Sequence, residues 1–133
     1  MTDTEYIKTQ FARCTTEHQA IIIRGRLYRA DEKNFENKIK RYVKQRGGWC
    51  LKYWGSGMTR AGVPDLLICI DGMLCPVEVK AQDGRPTRLQ LQTIADLRQA
   101  GAPAVVLYPS GYDTWREWCE AGFPAPWLPV IVR

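Results

Sequence analysis

Residues 62–80 read Gly-Val-Pro-Asp-Leu-Leu-Ile-Cys-Ile-Asp-Gly-Met-Leu-Cys-Pro-Val-Glu-Val-Lys, and the architecture turns on this stretch. Asp65 to Ile70 and Met73 to Lys80 are two β-rich runs joined by Asp71-Gly72. That dipeptide suits a two-residue type I′ hairpin, whose central residues both need positive φ. With such a turn Ile70 pairs with Met73, and counting outward sets Asp65 opposite Glu78. Directly opposed residues have Cβ atoms ~5 Å apart, so two carboxylates there are destabilising unless something neutralises them. A divalent cation would do so. Lys80 lies two residues beyond Glu78, and the strand period of two puts it on the same face. Pro76, opposite Leu67, has no N–H for the ladder, so a bulge or an edge position there would shift the register by one residue. Glu-x-Lys alone also fits an ordinary solvent-facing hairpin. Gly62-Val-Pro-Asp65 ahead of it gives the pair its weight.

Working outward, Asn34 reads as the N-cap of a helix in which Phe35, Ile39, Tyr42 and Val43 recur at helical spacing, ended by Gly47-Gly48. Trp49 to Trp54 alternates as a strand. The loop Gly55 to Gly62 does not match the phosphate-binding G-x-x-x-x-G-K-[ST] pattern, which excludes a Walker-type nucleotide site. Thr87, with Gln90 three residues on, caps a second helix that reaches Ala100 and is closed by Gly101. Ala104 to Tyr108 makes a buried strand, and Trp115, Trp118 and Cys119 share one face of a C-terminal helix. Residues 1–30 are less legible: Tyr6, Ile7, Phe11 and Cys14 suggest a short amphipathic helix, and Ala20 to Ile23 is a brief apolar run. The order from residue 34 is α-β-β-β-α-β, which predicts a mixed sheet flanked by helices, an α/β class of α+β type.

Two polar residues on these helices have two readings each. With Phe35 at 0°, the ideal step of about 100° per residue puts Ile39 near ~40°, Val43 near ~80° and Glu36 near ~100°, on the shoulder of the apolar face. Glu36 can therefore reach the sheet, although an i, i+4 ion pair with Lys40 accounts for it alone and is the favoured reading of this residue by itself. Gln90 falls in the middle of its helix's apolar face, where an unpaired amide costs ~1–3 kcal/mol. It either meets a polar partner such as a carboxylate, or bonds back to the helix start in a Thr87-x-x-Gln90 capping box.

Composition narrows the chemistry. The 133 residues, 45% hydrophobic and 25% charged, predict one soluble globular domain spanning 1–133. No run of ~20 apolar residues is present to span a membrane, and Met1 to Gln10 lacks the apolar core of a secretory signal. Cytoplasmic residence is expected. Five cysteines without a C-x-x-C pair read as reduced thiols, and a single histidine, His18, excludes H-E-x-x-H chemistry and leaves a triad without a supporting motif. Carboxylates, lysine and a hard, oxygen-liking metal remain. The net charge is +5 and unevenly placed. From Lys33 to Arg60, eight basic residues (Lys33, Lys38, Lys40, Arg41, Lys44, Arg46, Lys52 and Arg60) face one acid, Glu36, while elsewhere eleven basic residues face thirteen acids. Such concentration favours a polyanion, with a solvated helix face as the plain alternative.

Glu36, Gly62-Val-Pro-Asp65, Glu78-Val-Lys80, Thr87-Arg-Leu-Gln90 and Gly101 before a strand together resemble the VRR-NUC (virus-type replication-repair nuclease) family of the PD-(D/E)XK nuclease superfamily. The similarity spans about Phe35 to Ser110. It implies a restriction-endonuclease-like αβββαβ core, about residues 34–110, with residues 1–30 as an N-terminal extension and a helix added at the C-terminus. It implies a magnesium- or manganese-dependent endodeoxyribonuclease in which Asp65, Glu78 and the Val79 carbonyl bind metal and Glu36 contributes directly or through water. Lys80 would orient or help deprotonate the attacking water, with Gln90 positioning it; no small-molecule cofactor is implied.

The stand-alone phage or prophage type resembles Holliday-junction resolvases, homodimers acting on branched DNA in the bacterial host's cytoplasm. Residues 1–30 and the Trp-rich C-terminal segment are the candidate dimer surfaces, with core packing favoured for most of those aromatics. Lys40, Lys44, Lys52 and Arg60 are candidate phosphate contacts, and Trp54 is a candidate base-stacking residue, less favoured than strand packing. The alternatives are the same fold cutting flap, splayed or duplex DNA, and a binding module without catalysis.

Overall fold

The computed structural model describes residues 16–53 and 61–133, with side chains from residue 31 onward. Helix α1 (Thr16–Gln45) precedes strands β1 (Trp49–Lys52), β2 (Leu66–Ile70), β3 (Met73–Leu74) and β4 (Val77–Val79). Helix α2 (Arg88–Gln99), strand β5 (Val105–Leu107), a 3-10 turn (Pro109–Gly111), helix α3 (Tyr112–Glu120) and strand β6 (Ile131–Val132) follow. The six strands form one mixed sheet in the order β1-β2-β4-β5-β6, with β3 beside β2. β1, β2 and β3/β4 are antiparallel neighbours, and β4, β5 and β6 run parallel. The α+β class expected from the sequence is the class observed. Among the described residues no helix is long and apolar enough to cross a membrane.

The hairpin turn has φ of 51° at Asp71 and 78° at Gly72, the positive pair that a type I′ turn requires. Pro76 does not shift the register. It splits the expected Met73–Lys80 strand into β3 and β4, yet Ile70 pairs with Met73, Cys69 with Leu74 and Leu66 with Val77, all in one register. The proline's missing N–H is tolerated because Cys75 donates to the Ile68 carbonyl at 2.8 Å and the Pro76 carbonyl accepts from Val105 on the other side.

Asn34 is not a helix start. It lies inside α1, which runs unbroken for 30 residues. Residues 26–45 contain neither Gly nor Pro, and a capping residue ends a helix only where its predecessors prefer another conformation. The end is as expected: Gly47 takes φ of 71°, Gly47 donates to the Lys44 carbonyl and Gly48 to that of Val43, closing the last turn. Gly48 is also required by space, since a Cβ there would lie 2.8 Å from the Cys69 carbonyl. The expected helix around Tyr6 to Cys14 and the Gly55–Gly62 loop through Arg60 lie outside the described residues, as does Trp54.

Core packs on both faces of β4 and β5, while Trp49 and Leu51 of β1 and Leu74 of β3 stay exposed. Phe35, Ile39, Tyr42 and Val43 of α1 and Tyr112, Trp115, Trp118 and Cys119 of α3 pack with Leu66, Ile68, Ile70, Val77, Val79, Val105 and Leu107. On the opposite face Ile94 of α2 packs with Ala104, Val106 and Tyr108. Trp115 and Trp118 are therefore core residues rather than a dimer surface. Strand β6 was not expected, because two residues behind Pro129 carry no readable alternation. It docks because Val106 donates to the Val130 carbonyl and Tyr108 to that of Val132.

Gly111 lies against this last strand, where a Cβ would collide with the Val132 carbonyl. Gly111→Ala is expected to destabilise the protein by ~1–3 kcal/mol in urea denaturation; an unchanged midpoint would contradict the close docking of β6.

Candidate functional site

The backbone brings the two carboxylates together before any side chain acts. Continued one step past the Leu66–Val77 pair, the register sets Asp65 against Glu78, as the sequence predicts. Each carboxylate then bonds the other strand's backbone: the Asp65 N–H donates to Glu78 Oε2 at 3.2 Å, and the Val79 N–H donates to Asp65 Oδ2 at 3.1 Å. One step further the register opposes Pro64 to Val79. Proline has no N–H to give to the Val79 carbonyl, while the β5 side of this strand is served by the bond from Lys80 N to the Leu107 carbonyl. The Gly-Val-Pro-Asp order thus withholds the ladder donor from a carbonyl that lies beside two carboxylates.

Glu78 is only 2% exposed. Its Oε1 accepts from Gln90 Nε2 at 2.9 Å and lies 3.6 Å from Lys80 Nζ. Gln90 satisfies both of its expected readings, because its Oε1 also accepts from the Thr87 N–H at 2.9 Å while Thr87 Oγ1 accepts from the Gln90 N–H. The capping box that starts α2 is therefore the device that aims an amide at Glu78. Burial, followed by the negative charge of Asp65, pushes the Glu78 carboxyl well above the usual carboxylate range, against the pull of Lys80. The raised Glu78 value reflects the repulsion that two bare charges would feel here.

Glu36 is 4% exposed and is more than the partner of Lys40. Its Oε2 lies 3.5 Å from Lys40 and 4.0 Å from Lys33, while Oε1 accepts a hydrogen bond from Lys52. Lys52 Nζ also stands 3.8 Å from Asp65 Oδ1, so one ammonium bridges helix α1 to the acidic pair. Burial alone would lower the Lys52 pKa, but the bond to Glu36 and the charges of Asp65, Glu36 and Glu32 outweigh it and hold it above the ordinary lysine value. The sequence reading missed Glu32. Its carboxyl is raised by burial and then by Asp65, and is drawn back by Lys80 and Lys52, which places it in the same electrostatic cluster. The signal was available, since Glu32 precedes Glu36 by one helical turn on the same flank of α1.

Of the four candidate phosphate contacts, Lys52 is inside the cluster and Lys40 is half-buried beside Glu36. Lys44 is exposed on α1, and Arg60 lies outside the described residues. Among the described residues no three His, Cys, Asp or Glu side chains converge on one point. What the site offers a metal is Asp65, Glu78 and the Val79 carbonyl, all hard oxygen donors of the type that suits magnesium or manganese. A cation there would offset that repulsion and satisfy a carbonyl facing proline. Glu36 meets that centre through the Lys52 ammonium. No protein family, curated protein or solved structure matches the chain.

The raised Glu78 value has a signed consequence. The metal-free folded state binds the Glu78 proton more tightly than the unfolded chain. The stability it confers is full below the ordinary glutamate range and is lost as pH climbs through the raised value. Denaturation in EDTA should therefore show wild type losing ground to Glu78→Gln between about pH 5 and about pH 9, by ~1–3 kcal/mol. A difference independent of pH would contradict the raised Glu78 value.

Proposed function

We propose that the chain is a metal-dependent endodeoxyribonuclease, of the VRR-NUC type that its motifs resemble, hydrolysing phosphodiester bonds in branched DNA. The observation that carries this reading is the opposition of Asp65 and Glu78 across the hairpin ladder, with Lys80 Nζ 3.6 Å from Glu78. A structural hairpin gains nothing from facing carboxylates, and a phosphate-binding module is weakened by them. The remaining support is the concentration of positive charge between Lys33 and Arg60.

Asp65, Glu78 and the Val79 carbonyl would hold a magnesium or manganese ion. When bound, such an ion polarises the phosphoryl oxygen and lowers the pKa of its water, which supplies a nucleophile without histidine. The protein's own groups do the rest. Lys80, a cation beside Glu78, donates hydrogen bonds to the attacking water and to the oxygen on which negative charge grows, an arrangement of fixed donors that stabilises the transition state. Gln90 locks the Glu78 carboxylate in one orientation, and Lys52 does the same for Asp65 while offsetting the charge of Glu36. Neutralising the acidic cluster in this way lets a phosphate approach. Symmetric cutting of a four-way junction needs two sites, so the reading includes a homodimer.

Lys80→Ala is expected to lower cleavage by ~100-fold or more while leaving the melting temperature and DNA binding close to wild type. Full residual activity would remove Lys80 from the chemistry.

The reading as a whole is tested by incubating the protein, and its Asp65→Asn and Glu78→Ala variants, with labelled four-way junction, flap and plain duplex DNA in magnesium, manganese or EDTA. Cutting that requires metal and both carboxylates supports the nuclease, and paired symmetric nicks support the dimeric resolvase. Binding without cutting in every condition favours a binding module instead.

A further inference from the structure

A cavity of about 500 Å³ opens on the flank of α1 away from Glu36, between that helix and the segments that continue β4 and β5. Its apolar walls include Phe35 and Pro109, and its polar ones Asp31, Lys38, Arg41 and Gln82. None of these residues belongs to the acidic cluster, but Gln82, Asp31 and Phe35 border it along the chain. Gln82 is two residues beyond Lys80, at most ~7 Å along an extended chain. Asp31 and Phe35 each adjoin in sequence one of the glutamates, Glu32 and Glu36, that share the field of Lys52. β4 and β5 run parallel, so the cavity lies off the carboxyl ends of two parallel strands, the place where open α/β sheets bind ligands.

The lining has a definite chemistry. Lys38 and Arg41 are exposed cations one helical turn apart, suited to a phosphate. Gln82 is held at both ends of its amide by Ser110, donating to Oγ at 3.1 Å and accepting from the Ser110 N–H at 3.2 Å. An amide has two N–H donors and two lone pairs, so Gln82 keeps one of each in a fixed direction. Its backbone carbonyl is held by Arg133 at 2.8 Å. Asp31 is an acceptor of the kind that pairs with an exocyclic base amine. A lone phosphate would use only the cations and would be repelled by Asp31. A nucleotide uses every group.

We infer that this cavity is a subsite for one unpaired nucleotide of the DNA strand, adjoining the scissile phosphate. Its phosphate lies against Lys38 and Arg41, and its base lies between the Phe35–Pro109 walls and the Asp31 and Gln82 side chains. The inference rests on the nuclease reading for the position of the cut and adds what that reading lacks, a physical source of preference for DNA structure. A nucleotide stacked and paired within a duplex cannot enter a recess of this size without leaving the helix, which costs a few kcal/mol, whereas one at a branch point or single-stranded end is already free. The cavity thus discriminates by the cost of unstacking and needs no sequence-reading contacts.

The test uses the full chain with magnesium for cleavage and with EDTA for binding. Lys38→Ala/Arg41→Ala is compared with wild type and with Arg116→Ala, which removes a cation of α3 held by Asp113 and Glu120. A melting curve confirms that each variant is folded; if the double variant is not, Arg41→Gln takes its place. The substrates are a duplex with a single unpaired nucleotide tract and the fully paired duplex. The expected result is about tenfold weaker binding of a labelled single-stranded oligonucleotide and a salt slope shallower by about 1 to 1.5. KM on the tract substrate rises with kcat nearly unchanged, and the preference over the paired duplex is reduced. Gln82→Ala should reduce that preference while leaving the salt slope unaltered.

Unchanged binding, slope and preference in the double variant overturn the subsite and leave the nuclease standing. A wild-type chain that binds oligonucleotide through Lys38 and Arg41 but cuts nothing in either metal overturns the nuclease and leaves the subsite standing. Loss of affinity equal on both substrates, with preference intact, overturns the unpaired-nucleotide assignment in favour of a general backbone contact.

Discussion

A carboxylate with 2% of its surface exposed, placed against a second carboxylate in the middle of a sheet, is the constraint around which this protein is built. Burying such a charge without compensation costs several kcal/mol, and the groups that compensate Glu78 come from two neighbouring strands' ends and from α2. The residue before β2 gives it the Asp65 N–H, α2 gives it the Gln90 amide, and the residue after its own strand gives it Lys80. Each depends on a piece of global architecture. β4 must be an interior strand paired on both edges, the hairpin register must pass Pro76 unshifted, and the first turn of α2 must lie over the strand end.

The compensation is arranged as alternating charge. Lys33 and Lys40 flank Glu36, Lys52 links Glu36 to Asp65, and Lys80 faces Glu78, with Glu32 completing the acidic side. Groups that are already paired are held in fixed orientations, which is the meaning of electrostatic preorganisation. The same alternation explains why the strong positive run of the sequence does not act as a simple basic stripe. Part of it, Lys33, Lys40 and Lys52, is engaged with acids, and the exposed remainder includes Lys38 and Arg41 on the other flank of α1.

Helix α1 therefore divides the molecule's polar surface. Its apolar centre line, Phe35, Ile39, Tyr42 and Val43, is fixed to the sheet and to the aromatic side chains of α3, where Tyr112 stands edge-on to both Phe35 and Tyr42. The flank bearing Glu32 and Glu36 turns toward the acidic pair, and the flank bearing Lys38 and Arg41 turns toward the cavity beside Pro109. A helix long enough to be held by so much core can present two polar flanks at set positions. That rigidity is what a site assembled from α1, β1, β2, β4 and α2 requires.

Local chemistry made much of this legible in the sequence. Asp71-Gly72 specifies its turn through the positive φ of both residues, and from that turn the opposition of Asp65 and Glu78 follows by counting. Thr87 and Gln90 carry their capping box within four residues, and Gly47 ends α1 through its positive φ. Each of these is a short-range interaction whose partners are both visible in one window. What tertiary structure decided involves partners distant in sequence. Asn34 lost its capping role to a longer helix, and Lys52 proved to be a bridge between Glu36 and Asp65. β6 formed only because β5 offered it an edge, and the cavity exists only where α1 crosses the ends of β4 and β5. Period and propensity fix which face a residue takes, but the identity of what lies opposite is set by packing between elements, and a single sequence does not encode that in any local pattern.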